Sequence, residues 1–177
     1  MTNWTNDPPE ATDFAAVRLI RPPATGSITG VLTSPTVLGT WTHWDQYRTQ
    51  PCSGDKCKLC IDGQPRRWYG YISVFSMSTH RHYVVQITSQ AAQQLYAQVR
   101  DKDNLRGLLI KIERAAKRPN AKLLIDVRPC PCTVPDLPDP IPIQRYMALI
   151  WDDPKAAERA AATNKRKNAH QNAQEPN

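Results

Sequence analysis

Residues 42–71, THWDQYRTQPCSGDKCKLCIDGQPRRWYGY, place one histidine, three cysteines and a basic-aromatic run within thirty positions. The stretch opens at the end of a β-branched, aromatic segment, VLGTWTHW (37–44), and closes at the start of another, RWYGYISVFSM (67–77). Both read as strands, with a cysteine loop between them. Gly70 inside the second strand marks a bulge or sharp bend.

The order of elements follows from there. HYVVQIT (82–88) is a third strand, with Tyr83, Val85 and Ile87 on one face and His82, Val84 and Gln86 on the other. Ser89 is placed to cap a helix over 90–100, whose apolar stripe is Ala92, Leu95, Tyr96 and Val99. LRGLLIKIER (105–114) and KLLIDVR (122–128) alternate as strands. FAAVRLIR (14–21) reads as a short additional strand before Pro22-Pro23, followed by a turn-rich stretch holding Gly26, Gly30 and Pro35.

Outside this block the chain changes character. Residues 1–13 are polar and read as a disordered N-terminus, so the globular unit is expected over 14–129. Residues 130–153 form a Pro-rich extended segment. Within it, IPIQRYMALIW (141–151) is apolar enough to dock on the domain or on a protein partner. Asp152-Asp153-Pro154 reads as a helix start, leading to a short helix and a disordered basic tail over 154–177. No apolar run approaches the ~20 residues of a membrane span. The opening MTNWTNDPPEATDF lacks a basic-then-apolar leader pattern, so a soluble, cytoplasmic (intracellular) protein with no membrane partner is expected.

Net charge is +7, and its distribution says more than its total. Fifteen Lys or Arg face seven Asp or Glu between His43 and Arg128, whereas residues 129–154 sum to −3. A basic core beside an acidic flank points to a polyanion, nucleic acid first.

The spacing His43-x8-Cys52-x4-Cys57-x2-Cys60 suits tetrahedral zinc, and Gly54 and Gly63 let the backbone turn tightly around it. His43 is the first choice for the fourth ligand, on the strand entering the loop. Cys130 and Cys132 are the runner-up; His80 and His82 come after. Five cysteines, an odd number, argue against a disulfide framework. A structural ion is favoured over a catalytic one. Pro51-Cys52 is followed by four residues before the next cysteine where a nucleobase deaminase has two, and His43 has no glutamate two residues on. No nucleophile triad, P-loop or Gly-rich nucleotide fingerprint stands elsewhere, so the protein is not read as an enzyme.

Strand, strand, strand, helix, strand, strand is the order of the five-stranded OB-fold barrel, and the zinc loop (43–63) is an insertion between its first two strands. Over about residues 36–129 the chain resembles zinc-containing OB-type single-stranded DNA-binding proteins of replication and mobile-element modules. The resemblance implies a mainly β barrel with one helix, binding single-stranded DNA or RNA with low sequence specificity, through strands two and three. On strand two, Trp68, Ile72 and Val74 are assigned to the core, and Arg67, Tyr69, Tyr71 and Phe75, with Arg66, to the ligand side. His82 and Gln86 lie beside them; Arg81, Arg106 and Lys111 supply phosphate contacts; Arg114, Lys117 and Arg118 form a basic clamp before the last strand. Trp41 and Trp44 are expected to pack around the metal loop. A protein-interaction adaptor using the C-terminal segment is the rival reading; a zinc hydrolase or deaminase is the other.

Overall fold

A computed structural model describes residues 17–45, 48–99, 104–130 and 137–152. Expectations for residues 1–13 and 154–177, and for Cys132, fall outside the described residues. The elements are β1 (Arg18–Ile20), β2 (Ser27–Leu32), β3 (Leu38–Trp44), β4 (Thr49–Pro51), α1 (Lys58–Ile61), β5 (Arg66–Ser76), β6 (Arg81–Thr88), α2 (Ser89–Gln98), β7 (Leu108–Arg114), β8 (Leu123–Pro129) and α3 (Ile143–Asp152).

The strands form one mixed sheet in the order β1-β6-β5-β2-β7-β8, with the β3–β4 hairpin paired onto β5. Every pairing is antiparallel except β1 with β6. β5 is the spine. Its first half pairs with β3 (Leu38↔Tyr71 to His43↔Arg66), and its far end pairs with β2 (Val31↔Phe75, Leu32↔Val74). The sheet is open: among the described residues no ladder joins β8 back to β6, so the closed barrel expected from the element order is not formed here.

One strand lies where the sequence reads as turns. β2 runs through Gly30, because a side chain there would collide with β5: a Cβ would stand 2.5 Å from the Phe75 carbonyl oxygen and 2.6 Å from Val74 Cγ1. A glycine in a strand marks such close backbone approach. Gly70, by contrast, is no bulge. The register of β5 against both neighbours runs through it unbroken.

One face of the sheet packs on α2. Leu32, Ile72, Val85, Ile110 and Ile125 meet Ala91, Ala92 and Leu95 there. The helix starts one residue earlier than its sequence pattern implies. Thr88 is its cap, accepting from the Ala91 amide at 3.3 Å, where Ser89 was expected.

The opposite face is covered by α3. Tyr71 and Val84 pack with Ile141, Ile143, Tyr146 and Met147. The IPIQRYMALIW segment therefore docks on its own domain, with Ile143–Asp152 forming a helix; the helix expected from Asp152-Asp153-Pro154 onward lies outside the described residues. The Trp151 ring meets Tyr71 edge-on at 6.0 Å, Tyr146 Oη donates to the Val17 carbonyl at 3.3 Å, and Arg48 Nη1 donates to the Trp151 carbonyl at 3.2 Å. Arg106 ties down the chain leading into the helix, donating to the carbonyls of Leu137 and Pro138, both at 3.0 Å, and of Thr33 at 3.2 Å.

Met147 is 2% exposed against this face. Met147→Ala is expected to cost about 2–5 kcal/mol in urea unfolding, the usual range for emptying such a site. An unchanged midpoint would mean that α3 does not cover the sheet.

Candidate metal centre and the neighbouring cationic surface

The cysteine loop is built by short-range hydrogen bonds. β3 and β4 form a hairpin in which His43 pairs with Gln50, and the Cys52 amide continues the ladder by donating to the Trp41 carbonyl at 2.8 Å. A single 3-10 turn over Gly54–Lys56 leads to Cys57, whose amide donates to the Gly54 carbonyl at 3.0 Å. α1 follows at once, its first turn closed by Ile61 N–H to Cys57 O at 3.1 Å. Gly63, at φ +74, ends it, and its amide donates to the Cys60 carbonyl at 3.1 Å. Cys57 and Cys60 thus flank one turn and face the same way.

The result is a cluster. One ligand atom each from His43, Cys52, Cys57 and Cys60 lies within 4.8 Å of all the others, close enough to hold a metal ion. Cys52 Sγ is 3.5 Å and His43 Nε2 is 3.3 Å from Cys60 Sγ. A tetrahedral ion with bonds of about 2.3 Å to sulfur and 2.0 Å to nitrogen spaces its donors by about 3.4–3.8 Å. The imidazole adds a second sign. His43 is 1% exposed, its Nε2 points at sulfur, and its Nδ1 is buried with no hydrogen-bond partner. Nε2, on the sulfur side, is the ring atom placed to bind an ion.

Two of the thiols titrate differently. Amide N–H groups of Cys60 and Ser53 hold the Cys57 thiol down to about 6. Hydrogen bonding to Cys52, then burial and the Cys57 thiol, push Cys60 up to about 11. A bound divalent charge would favour the thiolate form of the cysteines that hold it.

The other ligand candidates lie elsewhere. Cys130, the runner-up ligand, is held in a disulfide and is therefore no thiolate ligand. His80 is exposed, its ring edge-on to Phe75 at 6.1 Å. His82 Nε2 sits 2.9 Å from Thr33 Oγ1, and burial followed by the Arg106 charge holds its pKa below the usual histidine range.

The expected ligand-side residues separate into three groups. Tyr71 is 2% exposed beneath α3, so it stacks on no base; burial pushes its hydroxyl up to about 12. Gln86 is buried too and accepts from Arg21 Nε at 2.8 Å. Arg106 and Arg114 spend hydrogen bonds on backbone carbonyls, Arg114 on those of Pro22 (3.0 Å) and Ala121 (2.9 Å). Lys111 pairs with Glu113 at 2.7 Å. At the distant end of the β5–β6 hairpin, Phe75 is half-buried with His82 while Arg81 is exposed. Lys117 and Arg118 are exposed in the β7–β8 connection.

Arg66 and Arg67 are exposed, and Tyr69 is half-buried, on the stretch of β5 paired with β3. The tryptophans complete this surface. Trp41 and Trp44 do not pack inside the loop but are 45% and 56% exposed, and the Arg66 guanidinium carbon lies 4.7 Å from the centre of a Trp41 ring. The sequence signal was available: Trp41 stands between Thr40 and Thr42 and Trp44 between His43 and Asp45, not in an apolar run. Arg21, which the sequence reading left out, reaches the same region through β1. Its parallel pairing with β6 has no local signature.

Among the described residues, no helix is long and apolar enough to cross a membrane. Comparison with protein-family models, curated proteins and solved structures finds no match for this chain.

Metal analysis of the purified protein is expected to find one ion per chain, lost in Cys57→Ser. Stripping it should lower Tm by on the order of 10 °C, because ligand binding of this kind is folding energy. A metal-free chain with unchanged Tm would remove the site.

Proposed function

We infer that the protein is a non-enzymatic binder of single-stranded nucleic acid, DNA favoured over RNA, with zinc as a structural staple and little sequence preference. The observation that carries this reading is the exposed ribbon of β3 and β5. Arg66 and Trp41 stand on one face of it and Arg67 and Trp44 on the other, at the end of the sheet where His43 joins the cysteine cluster. Arginine supplies forked phosphate contacts, and exposed indoles supply sequence-tolerant stacking.

Zinc is supported by its donor set. One nitrogen and three sulfurs make a full tetrahedral shell, as in structural sites; a catalytic site keeps a position for water. The ion would fix the β3–β4 hairpin and, through the His43↔Arg66 pair, the start of β5.

The strand connections fit an OB-like design. β2 and β3 together take the place of the long first strand, β5 and β6 follow, and α2 stands between β6 and β7. β7 pairs with both β2 and β8. Gene replication, recombination or mobile-element maintenance is the setting this resemblance supports. The adaptor alternative loses its main element, since the apolar side of α3 is spent on Tyr71 and Val84.

Titrating oligo-dT binding against salt tests the reading. Three or four phosphate contacts give a log–log slope of about −2 to −3. Trp41→Ala should weaken binding by about 1–3 kcal/mol with the fold intact, since its ring is largely in solvent. Absence of binding at low salt, or binding indifferent to salt, would sink the reading.

A further inference from the structure

A cleft of about 470 Å³ opens between the β5–β6 face and the connection from β7 to β8. That is within the ~300–1,000 Å³ of ligand pockets. Three arginines, Arg21, Arg67 and Arg114, line it together with Tyr69, Gln86 and Thr88, and among the described residues no aspartate or glutamate does.

Two of the three arginines are positioned by neutral acceptors. Arg21 donates to Gln86 Oε1 at 2.8 Å and to Thr49 Oγ1 at 3.3 Å; Arg114 donates to the carbonyls of Pro22 and Ala121. Neither arrangement cancels the charge, and each guanidinium keeps further N–H donors to offer. Arg67 is exposed and makes no ion pair with a described carboxylate. Pre-placed guanidiniums without a counter-charge are suited to forked recognition of a phosphate.

The amount of charge narrows the ligand. An internal phosphodiester carries one negative charge. A phosphomonoester carries about −1.5 to −2 at neutral pH and offers three acceptor oxygens. Three cations in one cleft match the monoester. The half-buried Tyr69 ring is the flat wall against which an attached nucleoside would lie.

We propose that this cleft takes the terminal phosphomonoester of a nucleotide, presented by a free mononucleotide or by the end of a strand. The strand-end form rests on the nucleic-acid reading above; the mononucleotide form does not. The test compares oligo-dT strands bearing a 5′-phosphate, a 3′-phosphate or only hydroxyl ends, and dTMP against thymidine, on the full chain. A phosphorylated end, or dTMP, should bind about tenfold or more tightly than its hydroxyl counterpart. Arg67→Gln should erase that difference. A preference in the strand arm assigns the site to strand ends; a preference for dTMP alone assigns it to free nucleotides. If dTMP binds and no strand does, the cleft assignment holds and the strand-binding reading fails. Equal binding of all strand ends with dTMP no better than thymidine overturns the proposal while strand binding stands, and so does a preference that survives in Arg67→Gln.

Discussion

Three sulfurs and an imidazole held within 4.8 Å of one another are the constraint on which the proposed binding surface depends. The loop that carries them has almost no core of its own. Among its described residues Cys57 is the one buried apolar side chain, and Ile61 stands 74% exposed. Hydrophobic burial therefore cannot account for its shape. Local hydrogen bonds draw the chain from Cys52 to Gly63 into one compact turn, but they say nothing about where that turn sits relative to β3. The His43–Cys60 approach does. It joins the turn to the sheet through the side chain opposite Arg66, so the cationic ribbon inherits its position from the metal cluster.

The second constraint is that β5 and β6 are buried on both faces. Ile72, Val74, Val85 and Ile87 face α2, whereas Tyr71 and Val84 face α3. A strand in that position has apolar residues on successive positions, so its sequence cannot tell a ligand face from a second core. That ambiguity is why Tyr71 reads as a stacking ring. The same face changes character along its length. α3 reaches Tyr71 and, in part, Tyr69, while Arg67 is exposed at the cleft. Four residues of strand, about 13 Å, separate a packing residue from a solvent-facing one.

What was legible in the residues follows from range. The metal set was legible because its ligands are close in sequence and chemically distinctive, and the helix and the five main strands because their periodicity is local. β2 was not, since Gly30 reads as a turn and becomes a strand residue only when Phe75 passes within 2.5 Å of its missing Cβ. Nor was α3: an apolar run fixes that a segment docks, not where, and its position depends on Arg106 holding the chain at Leu137 and Pro138. Cys130 shows the same limit. An odd cysteine count argues against a framework of bridges but not against a single one.

The arginines make the general point about charge. A net of +8 over residues 43–128 treats all cations alike, yet their surroundings divide them. Arg106 is consumed by three carbonyls that organise the C-terminal segment. Arg128 is paired with Asp126 at 2.8 Å, and Lys111 with Glu113. Among the described residues Arg66, Arg67 and Arg21 carry no such compensation; Arg67 and Arg21 line one cleft, and Arg66 lies over Trp41 on the other face of β5. Exposed pairs are worth little to stability, so the paired cations mark a solvated surface. The uncompensated ones set the direction of the field and, with it, where a polyanion would first be drawn.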